Sequence, residues 1–147
     1  MWLYKGKILS KLEDFGEPTP FGFVYIITHL PSEKSYIGKK VLFFNQRKNL
    51  TKKELAEVKG PGRKPKTKII IKESDWLSYF SSNKKLIELS KKEPNENFRR
   101  EILVLTPNKK LLTYYETKLL FQNEVLEFPE KWFNDNISGH FFTKDIL

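Results

Sequence analysis

Apolar runs separated by short polar turns mark the early part of the chain, and this pattern predicts strands rather than helices. Phe23 to Ile27 is an unbroken apolar run, as expected for a strand that is covered on both faces. Leu30-Pro31-Ser32 supplies a turn, and Ser35-Tyr36-Ile37 then resumes the strand pattern before a glycine. We therefore predict a β-hairpin over about residues 21–41.

The predicted hairpin carries one tyrosine on each strand. If its turn is centred between Leu30 and Pro31, Tyr25 lies directly opposite Tyr36, and opposed residues share one face of a sheet. Both hydroxyls would then converge beside Gly38. Because a plain hairpin does not need two such tyrosines, we take them as the first candidate functional residues.

The remaining pattern predicts further helices and strands within one domain spanning residues 1–147. Trp2 to Leu9 alternates loosely, which is typical of an outer strand or an arm, and we assign residues 1–20 to an N-terminal arm. This order of elements predicts a small α/β sandwich around an antiparallel sheet. The later predicted elements are a capped helix at 51–58, a short strand at 69–71, a turn of helix at 76–80, a helix at 83–92, a strand at 99–105 and a long helix at 108–126.

Composition narrows the function classes. Lysine and arginine outnumber aspartate and glutamate by 27 to 18, and the net charge of +9 favours a polyanionic partner such as nucleic acid. A membrane surface is the rival partner, but the sequence has no long uncharged apolar segment and no basic amphipathic helix. Because no signal peptide and no cysteine occur, we expect a cytoplasmic protein without disulfides or cysteine-based zinc sites. We expect His29 and His140, which are far apart, to be solvated loop residues.

Glu116 is the strongest candidate for chemistry from the pattern alone. It interrupts the apolar stripe that Leu112, Leu119 and Leu120 form on the long predicted helix. Desolvating a carboxylate is expensive unless a cation or a metal ion compensates for the charge. Two interpretations stay open: a glutamate at the edge of the stripe paired to lysine or arginine, and a functional carboxylate.

A basic segment over residues 59–68 contains five cations and two prolines, so we predict a loop. Gly62-Arg63-Lys64-Pro65 loosely resembles the Gly-Arg-Pro core that inserts arginine into narrow minor grooves. Both a solvated charge run and contact with the DNA backbone fit this composition. For the second interpretation the candidate contacts are Arg63, Lys64, Lys66 and Lys68, together with Lys40 from the hairpin.

Phe23-Val24-Tyr25 and Tyr36-Ile37-Gly38 resemble the signature of the GIY-YIG nuclease superfamily, in which a Gly-Ile-Tyr strand is followed about ten residues later by Tyr-Ile-Gly. The second half matches literally, whereas Phe23 stands where glycine is usual and Val24 replaces isoleucine. Three later blocks are similar to the phage-associated, free-standing branch, so the resemblance spans about residues 21–142: Glu73 to Ser82, Asn97 to Leu103 and Ile137 to Gly139.

This resemblance implies a three-stranded antiparallel sheet flanked by helices and a DNA endonuclease that hydrolyses phosphodiester bonds with Mg²⁺ or Mn²⁺. Glu116 stands where the family carries its metal-binding glutamate. The resemblance also implies that Tyr25, aided by Lys39 or Tyr36, orients or deprotonates the attacking water. For deprotonation, nearby cations would have to lower the pKa of the phenol.

Two more family positions have counterparts in the chain. Arg47 follows Tyr-Ile-Gly at an offset one residue longer than usual, and the resemblance implies that it stabilises the charge of the transition state. Asn134 matches the late asparagine that follows the glutamate, with Asn136 as the alternative. Thr51 stands where many members carry histidine or tyrosine, which leaves one family role unfilled.

The resemblance leaves the physiological role open. Double-stranded DNA is the expected partner, and a second copy of the chain or a protein partner could contribute to target choice, because we expect the nuclease module to fill the chain. A homing-like phage nuclease acting in the host cytoplasm is the first interpretation. A restriction or repair nuclease on the same scaffold is the alternative within enzymes. A DNA-binding module that does not cleave would leave Glu116 unexplained.

Overall fold

A five-stranded sheet is the largest element of the computed structural model, which describes all residues from Met1 to Leu147. The chain forms two compact units: the first comprises Met1–Leu42 and Asp75–Leu147, and the second comprises Phe43–Ser74. The strands are β1 (Trp2–Tyr4), β2 (Lys7–Leu9), β3 (Gly22–His29), β4 (Lys34–Val41), β5 (Phe43–Asn49), β6 (Thr67–Glu73), β7 (Phe98–Thr106), β8 (Asn136–Ile137) and β9 (Phe141–Phe142). The α-helices are α1 (Lys52–Glu57), α2 (Lys84–Lys92), α3 (Lys109–Gln122) and α4 (Thr143–Ile146).

The sheet of the first unit has the strand order β2-β1-β7-β3-β4. Its antiparallel part, β7-β3-β4, contains the three strands that the sequence predicts. The β1–β2 hairpin extends this part through a parallel pairing of β1 with β7. The expectation of a three-stranded sheet was therefore wrong in strand number, although the mixed α/β class is confirmed.

The first part of the expected N-terminal arm belongs to the sheet, so the outer-strand interpretation of Trp2 to Leu9 is confirmed. Trp2 is fully buried, and its ring packs edge-on against Phe23 and Tyr25 at centroid distances of 5.1 and 5.3 Å. The indole Nε1 donates a hydrogen bond of 2.7 Å to the carbonyl of Trp76. Burying an aromatic side chain of this size stabilises the folded chain, which explains why the segment from Trp2 to Leu9 packs onto the domain.

The β3–β4 hairpin forms as predicted, but with a different register. Tyr25 pairs with Gly38, and Tyr36 pairs with Ile27. The connection is four residues long and ends with Glu33 in the left-handed region at φ 59°, so the turn is centred one residue later than expected. This moves the pairing by two residues, and an even shift leaves both tyrosines on the same face of the sheet.

Helix α3 packs over β3 and β4 and buries the core of that side of the sheet. Val24 and Ile37 from the strands contact Leu112 and Leu120 from the helix. The predicted helix is confirmed, with Asn108 as its N-cap, but it ends at Gln122. Helix α2 is confirmed with Leu86 fully buried, whereas the turn of helix expected at 76–80 is a non-helical turn.

The second unit is a two-stranded antiparallel ribbon, β5–β6, with helix α1 in its connection. Thr51 and Glu54 form the predicted capping box, in which Glu54 N donates to Thr51 Oγ1 at 3.2 Å. The basic loop is shorter than expected, because Thr67 and Lys68 already pair with Asn49 and Lys48 in the ribbon. The predicted short strand at 69–71 is therefore the middle of a seven-residue strand.

His29 is not the solvated loop residue that we expected. It is the last residue of β3 and is 7% exposed, and its ring nitrogens lie 2.7 Å from Ser32 Oγ and 2.9 Å from Glu93 Oε1. His140 is exposed, as expected. None of the helices is both long enough and apolar enough to cross a bilayer.

Candidate active site

A cleft of about 820 Å³ lies along β4, the edge strand of the sheet in the first unit. The segment from Lys131 to Asn134 hydrogen-bonds to the first half of this edge, and the start of α2 and the middle of α3 complete the walls. The cleft therefore brings together residues that are widely separated in sequence. Its polar lining includes Tyr36, Lys39, Ser82, Asn83, Lys84, Lys85, Thr113, Glu116, Asn134 and Asp135.

The two tyrosines share a face, as predicted, but only Tyr36 lines the cleft. Tyr25 is 1% exposed, its hydroxyl lies against Gly38, and burial raises its pKa well above the ordinary tyrosine value. The expectation that cations lower this pKa is therefore wrong. Tyr36 Oη lies 3.1 Å from Ser82 Oγ, and partial burial raises the pKa of this phenol as well.

Glu116 lies partly buried on α3, between Leu112 and Leu120, and its side chain lines the cleft. No ion pair or hydrogen bond involves its carboxylate, so the interpretation of a paired glutamate is not what the structure shows. Burial raises the pKa of Glu116, and the positive charge of Lys39 opposes this shift. A carboxylate in this position favours a cation beside it.

Lys39 is held beside the Glu116 segment of α3. Its Nζ donates a hydrogen bond of 3.0 Å to Thr113 Oγ1. Thr113 precedes Glu116 by three residues, so the two side chains lie on neighbouring positions of one helix face. The exposed ammonium of Lys39 therefore stays close to the carboxylate while remaining open to a substrate.

Asn134 is placed at the cleft, but its amide is already occupied. Ile37 N donates to Asn134 Oδ1 at 3.0 Å, and Asn134 Nδ2 donates to the Ile37 carbonyl at 2.9 Å. Asn134 is 6% exposed. We therefore expect it to position β4 rather than to touch substrate. Asn136, the alternative, also lines the cleft and is exposed.

Two lysines expected to contact DNA are engaged within the protein. Lys40 Nζ lies 2.6 Å from Asp75 Oδ1 and 4.1 Å from the centroid of the Tyr79 ring. Only 16% of the Lys40 side chain is exposed, so its ammonium is engaged within the protein rather than free for a DNA phosphate. Lys68 Nζ pairs with Glu54 Oε2 at 2.7 Å, although the Lys68 side chain remains partly exposed.

The other predicted residues belong to the second unit. Arg47 is exposed in the middle of β5, opposite Ile69. Arg63, Lys64 and Lys66 are exposed in the loop between α1 and β6. The catalytic role of Arg47 and the DNA contacts of the loop stay predictions.

Sequence reasoning missed the start of α2 as part of the site. Asn83 caps this helix by accepting a hydrogen bond of 3.1 Å from Leu86 N, and Lys84 and Lys85 form the first turn beside the cleft. Backbone N–H groups at a helix N-terminus attract anions. The sequence Ser82-Asn83-Lys84-Lys85, a cap followed by two cations, carries this signal.

One family model matches the chain. It is described as "Putative endonuclease segE, GIY-YIG domain" and covers residues 2–137, which includes every residue named above in the cleft. No curated protein and no solved structure matches the chain. The matched range also includes the β1–β2 hairpin that extends the sheet.

Proposed function

The chain belongs to the family of GIY-YIG endonuclease domains, and from this premise we propose that it is a DNA endonuclease that hydrolyses phosphodiester bonds with a divalent metal ion. The observation that carries the proposal is the Glu116 carboxylate, which lines the cleft without a direct ion pair or hydrogen bond, while burial raises its pKa despite the charge of Lys39. A partly buried carboxylate is unfavourable unless a cation compensates for it. A metal ion that arrives with the substrate would provide this compensation.

The donors of the cleft fit Mg²⁺ or Mn²⁺ in a site that the substrate completes. The structure has no cluster of three or more His, Cys, Asp or Glu side chains that could enclose an ion. Mg²⁺ commonly keeps several waters and uses one or two carboxylates together with substrate phosphates. Glu116, with Asp135 on the same cleft, would hold the ion. When bound, such an ion acts as a Lewis acid on the phosphate and stabilises the leaving oxygen.

Tyr36 is the residue that we assign to the attacking water, because its hydroxyl is the tyrosine oxygen at the cleft. Its raised pKa keeps the phenol protonated at neutral pH, so it orients water by hydrogen bonding rather than by removing a proton. Tyr25 supports this role by packing against the Tyr36 ring, with the two ring centroids 6.3 Å apart. Lys39 offsets the negative charge of the phosphate beside Glu116.

The N-terminus of α2 supplies the binding site for a neighbouring DNA phosphate. Lys84 and Lys85 of its first turn line the same cleft as Glu116, and a helix N-terminus favours negative charge. Arg47 belongs to the second unit, and its stabilisation of the transition state is a separate proposal that rests on the family resemblance.

The family match supports the phage-type, free-standing branch of these nucleases. A homing-like role is the first proposal for its physiological function, and a restriction or repair enzyme on the same scaffold is the alternative. A DNA-binding module that does not cleave is the alternative from another functional class. These functions differ in one observable, the formation of new DNA ends.

Purified protein incubated with supercoiled plasmid separates the two classes. With Mg²⁺ we expect nicked or linear DNA, and with EDTA in place of the metal we expect none, because the ion that would act as Lewis acid on the phosphate is then removed. Plasmid that stays supercoiled at every Mg²⁺ and Mn²⁺ concentration, while binding to the protein persists, would assign the chain to the non-cleaving class.

A further inference from the structure

Most of the net positive charge of the chain lies in the second unit, Phe43–Ser74. Its 32 residues carry ten lysines and arginines against three glutamates, which gives a net charge of +7 out of the +9 of the whole chain. The first unit carries 17 cations against 15 carboxylates over 115 residues, a net charge of +2. Attraction to the phosphates of DNA is therefore concentrated in the second unit.

The β5–β6 ribbon of this unit presents one face with few charges. Side chains alternate along a strand, so every second cross-strand pair shares this face. One such pair, Phe43 with Glu73, lies at the end of the ribbon, and the other three follow it. Asn45 lies opposite Ile71, Arg47 lies opposite Ile69, and Asn49 lies opposite Thr67. We call these six residues the reading face. Ile69 and Ile71 are 64% and 75% exposed, and the asparagines and Arg47 are exposed as well.

The opposite face of the ribbon carries lysines. Phe44 pairs with Lys72, Gln46 with Ile70, and Lys48 with Lys68. Lys68 also pairs with Glu54 of α1, so this helix lies on the lysine side of the ribbon. These lysines thus lie on the face opposite the reading face, and the exposed loop cations Arg63, Lys64 and Lys66 directly precede β6 at one end of the ribbon.

The composition of the reading face matches the edges of DNA bases in the major groove. Asparagine forms paired hydrogen bonds to adenine, and apolar side chains contact the methyl group of thymine. Two neighbouring isoleucines that stay exposed to water are unfavourable, and covering them on binding removes that cost. Phosphate contacts alone would require cations at these positions rather than asparagine and isoleucine.

The dimensions of the ribbon also fit. Seven residues per strand give a length of about 24 Å, and the major groove is roughly 12 Å wide, which admits a two-stranded ribbon. Successive pairs on one face are about 6.8 Å apart, or two base-pair steps of about 3.4 Å. Three pairs therefore reach across roughly five base pairs.

We propose that the reading face enters the major groove of DNA and selects the sequence at which this protein binds. Lysines of the opposite face, Lys48 and Lys72, then contact phosphates along the edges of the groove. The inference rests on the proposed function, since it names how the nuclease chooses its substrate. Charge complementarity favours DNA over a second copy of the chain, which would bring another net charge of +7 to the same contact.

The test uses the full-length Glu116→Ala variant in EDTA, so that DNA is bound but not cut. Selection from a randomised duplex library followed by sequencing should give a preference over about five base pairs. In Asn45→Ala/Asn49→Ala, the ratio of affinities for the selected and a scrambled duplex should fall at least about tenfold. The affinity for scrambled DNA and its salt dependence should stay the same, because no phosphate contact is lost.

The matched control changes the opposite face. Lys48→Ala/Lys72→Ala should weaken binding to both duplexes equally and reduce the slope of log affinity against log salt by about two, without changing the preference. Circular dichroism and thermal unfolding check that each variant is folded. If these lysine changes alter the preference and the asparagine changes do not, the faces are reversed and the proposal falls.

Three other results would overturn the proposal: selection that returns no preference, a preference that survives in Asn45→Ala/Asn49→Ala, or a dimer that Ile69→Ser/Ile71→Ser dissociates without an effect on DNA preference. The first of these leaves the proposed nuclease function intact if wild-type protein still cuts plasmid with Mg²⁺. A clear preference in a protein that never cuts would instead support the reading face and refute the nuclease.

Discussion

Replacing Gly38 by alanine tests whether the packing of Tyr25 against Tyr36 requires a residue without a side chain at position 38. A Cβ at this position would overlap the Tyr25 hydroxyl and lie 2.7 Å from Tyr25 Cζ and 2.9 Å from Tyr36 Cε1. Carbon atoms normally approach to about 3.5–4.0 Å, so at least one ring must move by roughly 1 Å. The Tyr25 ring has little room, because Trp2 and Tyr79 pack against it at centroid distances of 5.3 and 5.9 Å.

Overpacking of this kind costs about 1–3 kcal/mol. For a chain of about 150 residues each kcal/mol lowers Tm by roughly 2–4 °C, so we expect Gly38→Ala to lower Tm by about 2–12 °C. Cleavage should fall as well, because the ring that yields most easily is that of Tyr36 at the cleft, and its hydroxyl then leaves the position beside Ser82.

Thermal unfolding of four proteins completes the test: wild type, Gly38→Ala, Tyr25→Phe and the double variant. Tyr25→Phe removes the oxygen nearest the new methyl group but leaves the ring carbon at 2.7 Å, so the cost of Gly38→Ala should fall without vanishing. The coupling energy should be about 0.5–3 kcal/mol. An equal loss of Tm in both backgrounds, or none in either, would refute the packing argument.

Three further changes test the assignments in the cleft and the ribbon. Tyr36→Phe should slow plasmid cleavage by about 10²–10⁴-fold, whereas Tyr25→Phe should cost about 1 kcal/mol of stability with little change in the cleavage rate. If Tyr25→Phe slows cleavage more than Tyr36→Phe does, Tyr25 is the residue that orients the attacking water. Lys39→Ala should move the acidic limb of the pH–rate profile to higher pH. Burial raises the pKa of Glu116 and the Lys39 charge lowers it, so without Lys39 the carboxylate ionises only at higher pH. An acidic limb that does not move would contradict this coupling. Arg47→Lys should slow cleavage while DNA affinity is retained, since the positive charge stays but the planar guanidinium is lost. An unchanged cleavage rate would remove Arg47 from the stabilisation of the transition state.

The elements with strong local signals could be predicted from the sequence. The apolar run of β3, the capping box at Thr51 and the stripe on α3 each identify an element without help from the rest of the fold. The register of the β3–β4 hairpin could not be predicted, because it depends on a left-handed residue at Glu33 that no glycine or asparagine marks. The β1–β2 hairpin was missed because its stabilisation comes from burying Trp2 against distant strands.

The same distinction applies to the candidate site. Glu116 was visible because a carboxylate interrupted a helical stripe, which is a local pattern. The roles of Tyr25 and Tyr36 depend on which ring is buried, and only tertiary packing decides that. Asn134 matches the late asparagine of the family in sequence, but only the fold shows that its amide bonds the backbone of Ile37, 97 residues away. Lys40 was expected among the DNA contacts, and its engagement with Asp75 and Tyr79 depends on tertiary packing that the sequence does not show.

The most direct test of the central claim compares wild-type protein with Glu116→Gln on supercoiled plasmid in Mg²⁺. Glutamine keeps the size of the side chain and removes the charge that would hold the metal ion. We predict that the variant binds plasmid as tightly as wild type, unfolds at an equal or higher temperature because a partly buried charge is gone, and produces no nicked or linear DNA. Cleavage by Glu116→Gln at the wild-type rate would contradict the account.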